Sequence, residues 1–232
     1  MKYYKILLTG GSGTLGKNII SSGFFKNLIA PTRSEMHIAK AASVERFFSQ
    51  NDFDAVIHCA AMARVSECEQ KPIEAIKANI IGTANLVAAV IKKEAKTNRR
   101  IRFIHISTDG VYQSTKGNYS ETDATIPYNI YGWTKLGGEE AVNLLTDFCI
   151  IRTRFFDPKS IKYDEYATDS YTSMIPVDEL VRATATMLQS GFVGPINIGG
   201  ERKSDYDNLK KYKPSIKQCK FEDIQGKETF KL

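Results

Sequence analysis

Tyr131 and Lys135 stand four residues apart in Tyr131-Gly132-Trp133-Thr134-Lys135, a spacing that on a helix puts a phenol and an ammonium on one face. A phenol with its ordinary pKa near ~10 is a poor acid–base catalyst at neutral pH. A neighbouring cation stabilises the phenolate and lowers that value, so the pair suits proton transfer. A second group of chemistry-bearing residues is Thr9-Gly10-Gly11-Ser12-Gly13-Thr14-Leu15-Gly16, glycines at the spacing that cradles a pyrophosphate. Gly10 would permit a tight turn, Gly13 a close approach of backbone to phosphate, and Gly16 close packing of the following helix. The third is Ile104-His105-Ile106-Ser107-Thr108-Asp109-Gly110, where an apolar run ends in three small polar residues.

The elements that must position these groups alternate along the chain. Tyr3–Leu8, Asn27–Ala30, Ala55–Cys59, Ile101–Ile106, Phe148–Thr153 and Pro195–Ile198 read as short apolar strands. Between them lie helical patterns at Leu15–Ser22, Ser43–Gln50 with Ser43 as cap, Pro72 to about Ala95, Tyr128–Leu145 and Val177–Leu188. Strands that are apolar throughout and alternate with helices predict an α/β fold, a doubly wound, Rossmann-type parallel sheet covered on both faces. After Arg154 the alternation loosens. The expected division is a dinucleotide-binding domain over 1–155 and a small substrate lobe over 156–232, packed on the first. The charged final thirty residues are expected to be weakly ordered.

Composition bounds the function. A chain of 232 residues with 42% hydrophobic content can bury one substantial core. No apolar run reaches the roughly 18 residues of a membrane span, and the N-terminus lacks the h-region of a signal peptide. Cys59, Cys68, Cys149 and Cys219 form no CxxC pair and read as free thiols, which with the other features makes the cytoplasm the expected compartment. The charge of +6 is concentrated around Lys210-Lys211-Tyr212-Lys213 and Lys220, without the aromatic-interleaved basic stripe of a nucleic-acid site, so a solvated basic segment is expected. His37, His58 and His105 lack metal-ligand spacing and are read as structural, and Asp178 as a charge in the first turn of its helix.

Cofactor preference is read at the end of the second strand. Dinucleotide folds that take NAD usually carry an acid there for the ribose 2′-OH. Here the order is Leu28-Ile29-Ala30-Pro31-Thr32-Arg33. Arg33 can pair with a 2′-phosphate, which favours NADP(H), with NAD(H) as the alternative.

Taken together, the glycine loop and the YxxxK helix resemble the extended branch of the short-chain dehydrogenase/reductase family. Within it the chain is most similar to dTDP-4-dehydrorhamnose reductases, through Ser107-Thr108-Asp109, Glu121-Thr122-Asp123, Pro127, Asn129 and Tyr131 through Glu139. Cys59-Ala60-Ala61 and Asn79-Ile80-Ile81-Gly82-Thr83 match further family segments, and the likeness extends over about residues 3 to 157. The resemblance implies reduction of the C4 keto group of a nucleotide-linked 4-keto-6-deoxy sugar, in deoxysugar synthesis. It assigns Tyr131 as proton donor, Lys135 to the nicotinamide ribose and to lowering the tyrosine pKa, and Thr108 to the sugar oxygen. It implies cofactor contacts from Gly10, Ser12, Gly13, Thr14, Leu15, Gly16, Thr32, Arg33, Ala60, Ala61, Met62, Asn79 and Ser107, besides Tyr131 and Lys135, with no metal. Asp109 and Phe155 join Thr108 on the substrate side, Phe155 standing where these reductases carry a tryptophan. A core role for Phe155 is the alternative. The expected partner is a nucleotide sugar, with no nucleic acid and no membrane, and with a homodimer left open.

Two departures from the family pattern stand out. Thr32 replaces an aspartate that several of these reductases place on the cofactor ribose, and the C-terminal part is short. Three other functions share the fold. A 4,6-dehydratase needs a carboxylate base after the aspartate, and Gly110 supplies none. An NAD-dependent 4-epimerase needs no such acid, and Arg33 counts against it. A non-catalytic NADP-binding regulatory subunit would have no need of Tyr131 and Lys135.

Overall fold

The computed structural model describes residues 5–225. Its frame is a six-stranded, all-parallel sheet built from β1 (Ile6–Thr9), β2 (Leu28–Ile29), β3 (Ala55–His58), β4 (Arg102–Ile106), β5 (Phe148–Thr153) and the strand Gly194–Ile198. Across the sheet the order runs from Gly194–Ile198 through β5, β4, β3 and β1 to β2. Several of the expected strands are trimmed, β2 to the middle of Asn27–Ala30, β3 by Cys59 and β4 by Ile101, and Tyr3 and Tyr4 of the first lie outside the described residues.

The strands alternate between two cores. Ile6, Leu8, Ala55, Ile57, Ile104, Ile106, Cys149 and Ile151 face α1 (Thr14–Ser21) and the helix Val177–Gln189. Leu7, Val56, Phe103, Phe148 and Ile150 face α2 (Ala41–Gln50), the long helix Pro72–Thr97 and the helix Ile130–Val142. Each such side chain, fully buried, contributes roughly 1.5–3 kcal/mol over leaving it in water, so the apolar strand pattern specifies the fold. At the C-terminal ends of β3, β4 and β5 the second row changes character, and the buried positions become His58, His105 and Arg152.

Pro72 opens the long helix as its first residue, a position that needs no backbone N–H. Pro72–Thr97 is long and apolar enough to cross a membrane by length and composition alone, as the core helix of a globular domain also can be. Its Leu86, Val87 and Val90 instead pack into the second core, as a sheet-covering helix requires. A π-helical turn, Ile76–Ile81, interrupts it and carries Asn79. Helix α2 starts two residues before Ser43. Lys40 takes the cap position, and the Ser43 hydroxyl accepts the His37 N–H at 3.0 Å instead.

The region after Arg154 is divided differently from the expectation. Val177–Gln189 and Gly194–Ile198 complete the main sheet, leaving 155–176 and 203–225 as the lobe. Three short strand pairs form it: Phe155–Phe156 with Ile175–Pro176, Glu165–Ala167 with Lys217–Cys219, and Tyr171–Thr172 with Lys203–Ser204. Tyr206, Leu209 and Ile216 make its small core, with Phe156, Ile161, Tyr166 and Met174 packed around. The basic segment is therefore structured within the described residues: Lys213 Nζ donates to the Tyr163 carbonyl at 3.0 Å and pairs with Asp164 at 2.7 Å.

Candidate functional site

The polar strand ends and the glycine loop meet at the C-terminal edge of the sheet, where ligands bind in open α/β folds. Gly10 follows β1 with φ +75°, a left-handed conformation, and a Cβ there would lie 2.6 Å from the Ala60 amide nitrogen. No side chain fits that turn. At Gly16 a Cβ would lie 2.2 Å from the Gly10 carbonyl oxygen, so the first turn of α1 lies directly on the loop. Gly13, by contrast, is exposed, and a Cβ on it would meet only the Gly10 oxygen at 3.4 Å. A tight, glycine-shaped floor with an open rim at the helix N-terminus suits a dinucleotide pyrophosphate. Ser12 and Thr14 are exposed on this rim, and Leu15 is buried beneath it.

Beyond β2, the loop carries an acid that strand order concealed. Glu35 folds back so that its carboxylate accepts the Thr32 N–H at 2.7 Å and the Thr32 hydroxyl at 2.8 Å. The Thr32 hydrogen bonds hold that carboxyl below its usual range. The strand end Leu28–Arg33 itself holds no acid, and the Glu35 carboxylate beyond it is engaged by the loop. Arg33 is exposed, and its Nε donates to His37 Nε2 at 3.3 Å.

After β3, Ala60, Ala61 and Met62 form the next rim of the cleft. Met62 is pinned from both sides, its N–H donating to Asn79 Oδ1 at 2.8 Å and its carbonyl accepting from Asn79 Nδ2 at 3.0 Å. Asn79 Nδ2 also donates to the Thr134 hydroxyl at 2.9 Å. These three bonds fix the Asn79 side chain and through it the rim at Met62.

After β4, Thr108 caps a short 3₁₀ turn, Asp109–Val111, by accepting the Gly110 N–H at 3.1 Å. Asp109 pairs with Arg154 at 3.0 Å. Asn129 caps the helix Ile130–Val142 by accepting the Gly132 N–H at 2.7 Å, which starts that helix two residues later than expected. Gly132 is required there, since a Cβ would sit 2.4 Å from the Gly110 carbonyl oxygen. The helix start and the end of β4 consequently touch, and Tyr131 lies beside Thr108.

The electrostatics of the Tyr131–Lys135 pair differ from the expectation. Burial of the phenol end, with the nearby Asp109 charge adding to it, pushes the Tyr131 pKa up to about 12, and a hydrogen bond with Thr108 pulls the other way. The Lys135 ammonium lies 3.3 Å from His105 Nε2. Burial brings the Lys135 pKa down to about 8, opposed by the Glu139 and Cys59 charges. At neutral pH Tyr131 is thus a protonated donor and Lys135 a cation.

Beneath the pair lies a network that the sequence reading assigned no role. Glu139, 1% exposed, accepts from Arg152 through Nε at 3.1 Å and Nη2 at 2.7 Å, and from the Ser107 hydroxyl. Arg152 Nη1 reaches the Tyr112 hydroxyl at 2.9 Å, which donates to Asn197 Oδ1 at 2.9 Å on the edge strand. Two signals could have shown it. Glu139 is one helical turn beyond Lys135, and Arg152 is a charge inside the apolar strand Phe148-Cys149-Ile150-Ile151-Arg152, where an unpaired cation is untenable. The Ser107 hydroxyl is oriented by Glu139, to which it donates. Phe155 is partly buried against the first core.

Comparisons with known proteins point to one family. The family model for the RmlD substrate binding domain matches residues 4–174. A dTDP-4-keto-6-deoxy-D-glucose reductase of Streptomyces niveus is 32% identical over 179 residues, 75% of this chain and 58% of that protein. The chain therefore spans little more than half the length of that curated relative. Among solved structures, a dTDP-4-dehydrorhamnose reductase from Clostridium acetobutylicum is similar over 95% of this chain and 85% of its own, with 27% identity and a TM-score of 0.83. Another, from Bacillus anthracis in complex with NADP, is 21% identical with a TM-score of 0.82, over 96% of this chain and 86% of that one.

Proposed function

Because the chain belongs to the RmlD substrate binding domain family, we propose that it reduces the 4-keto group of a nucleotide-linked 4-keto-6-deoxy sugar, using NADPH. The observation that carries this reading is the meeting of a protonated Tyr131 with Thr108 at the end of β4, beside a glycine cradle shaped for a dinucleotide. When bound, NADPH supplies a hydride to a carbonyl carbon. Gly10, Gly13 and Gly16 give the pyrophosphate a backbone floor, and Lys135 holds the ribose hydroxyls on the nicotinamide side. The Thr108 hydroxyl hydrogen-bonds the sugar oxygen and sets it against Tyr131, whose proton passes to that oxygen as its charge develops. Gly110 has no side chain to act as the base that dehydration would need.

Arg33, exposed at the ribose turn, favours the 2′-phosphate of NADPH. Glu35 in the same turn makes the comparison with NADH informative. The reading expects a kcat/KM higher with NADPH than with NADH, with the ratio falling in Arg33→Ala. Equal values, or an NADH preference that Arg33→Ala leaves unchanged, would overturn the cofactor assignment. For the substrate, the test is a panel of 4-keto-6-deoxy sugar nucleotides offered with NADPH, followed by loss of NADPH absorbance. Consumption with a keto sugar and none with the corresponding hydroxy sugar supports the reductase. Tight NADPH binding with no consumption across the panel would instead make the chain a binding module.

A further inference from the structure

Near the C-terminal ends of β3 and β4 two buried histidines stand side by side, His58 paired in register with His105 and their rings 5.1 Å apart. Hydrogen-bond directions fix how each carries its proton. The Thr83 hydroxyl spends its only hydrogen on the Asn79 carbonyl at 2.7 Å, so at its 3.0 Å contact with His58 Nε2 it must accept. His58 therefore bears its proton on Nε2, and its Nδ1 accepts from the Thr9 hydroxyl at 2.7 Å. Thr9 in turn accepts the Ala60 N–H at 3.3 Å, so every site on this chain is satisfied.

His105 is arranged the opposite way. Its Nε2 lies 3.3 Å from Lys135 Nζ, which has protons to give and no lone pair while charged. Nε2 must accept, and the ring proton goes to Nδ1, a buried atom with no partner among the described residues. Leaving a buried N–H unpaired is costly, and the flipped tautomer would set N–H against ammonium. The geometry has a use only if the Lys135 contact is worth that cost. We propose that His105 is a positioning residue for Lys135, its Nε2 lone pair holding the ammonium at the inner end of the site while Glu139 supplies the balancing buried charge one turn along. The proposal rests on the reading of Lys135 as the residue that holds the cofactor ribose. Other titratable groups facing Lys135 are His58 and Cys59 from the β3 side, both uncharged near neutral pH, and Glu139, itself shared with Arg152.

The chain has only three histidines, so ¹⁵N spectra of the uniformly labelled protein are assignable with single His→Gln variants. The expected result is opposite tautomers, Nε2–H for His58 and Nδ1–H for His105, both neutral from pH 8 down to pH values well below 6.5. An Nε2–H tautomer or a protonated ring at His105 overturns the proposal, whatever the enzyme assay shows. The second arm is His105→Phe, which keeps a ring and removes the acceptor, with His105→Gln as the conservative replacement that restores one. Expected is a rise of about tenfold in the KM for NADPH in His105→Phe, the size of one lost hydrogen bond to a charged group, with partial recovery in His105→Gln. The alkaline limb of the pH profile should move to lower pH in His105→Phe, since the ammonium loses its acceptor. A purely structural role would lower Tm equally in both variants and leave KM and the limb in place. Should the chain turn over no substrate at all, the reductase reading fails while the tautomers still decide this one.

Discussion

The sheet half and the C-terminal lobe of this protein are held together by different means. In the sheet, rows of side chains such as Ile6, Leu7, Ile57 and Ile104 are fully buried, and Arg152 and Arg102 among them are paired with Glu139 and Asp147. The lobe has a core of Tyr206, Leu209 and Ile216, two- and three-residue strands, and ion pairs open to water such as Lys213 with Asp164. Every candidate catalytic group stands on the first framework. The difference teaches that proton transfer is built where atoms cannot move, whereas the part expected to meet the sugar nucleotide is held by a few contacts.

Glu139→Gln should show the contrast at its sharpest. Removing the partner of a buried Arg152 is expected to cost about 3–5 kcal/mol in urea unfolding. A loss below about 1 kcal/mol would mean that the pair is solvated and the comparison wrong. Next is Gly10→Ala, which meets both a left-handed φ and the Ala60 amide at 2.6 Å. A cost of roughly 2–3 kcal/mol and weakened NADPH binding are expected. In the lobe, Leu209→Ala should cost about 2 kcal/mol, near the low end for a buried leucine because this small core can collapse. Its kinetic signature should be a raised KM for the sugar nucleotide with NADPH affinity kept. A fall in NADPH affinity of similar size would join the two regions into one. Asp164→Ala, removing an 85% exposed carboxylate from its pair with Lys213, should cost no more than about 0.5 kcal/mol.

Acid should also act on the sheet half first. Burial lowers the His58 pKa to about 3 from an unfolded value of 6.5, and His105 is shifted in the same direction. Between those values the unfolded chain binds a proton that the folded one refuses. Stability from this source is complete above pH 6.5 and is lost as pH falls toward 3. The urea midpoint is expected to drop between pH 7.5 and pH 5, and a flat midpoint would contradict the assignment of His58 as buried and neutral. The lobe carries no histidine.

Legibility in the sequence follows the same division. The glycine loop could be read because turn, strand and helix are adjacent in the chain, and the Tyr131–Lys135 pair because helical spacing puts the two on one face. His105 was not readable as a partner of the site, since its contact crosses 30 residues to Lys135, whereas Glu139 and Arg152 left a trace in helical spacing and in a lone charge within an apolar strand. Glu35 was missed because a carboxylate can reach back three residues to Thr32 without any strand pattern. In the lobe, pairings such as Glu165–Ala167 with Lys217–Cys219 join distant segments too short to carry a period. Gly194–Ile198, which lies within 156–232, pairs in parallel with β5 at the edge of the main sheet.

The central claim is that Tyr131 donates the proton in a reduction on the sheet framework. Tyr131→Phe removes one oxygen and leaves a ring of the same shape. Measured beside the wild type with NADPH and the keto-sugar nucleotide that turns over, it should bind NADPH with unchanged affinity and lose at least about 10²-fold in kcat. Turnover within a few-fold of wild type would contradict the account.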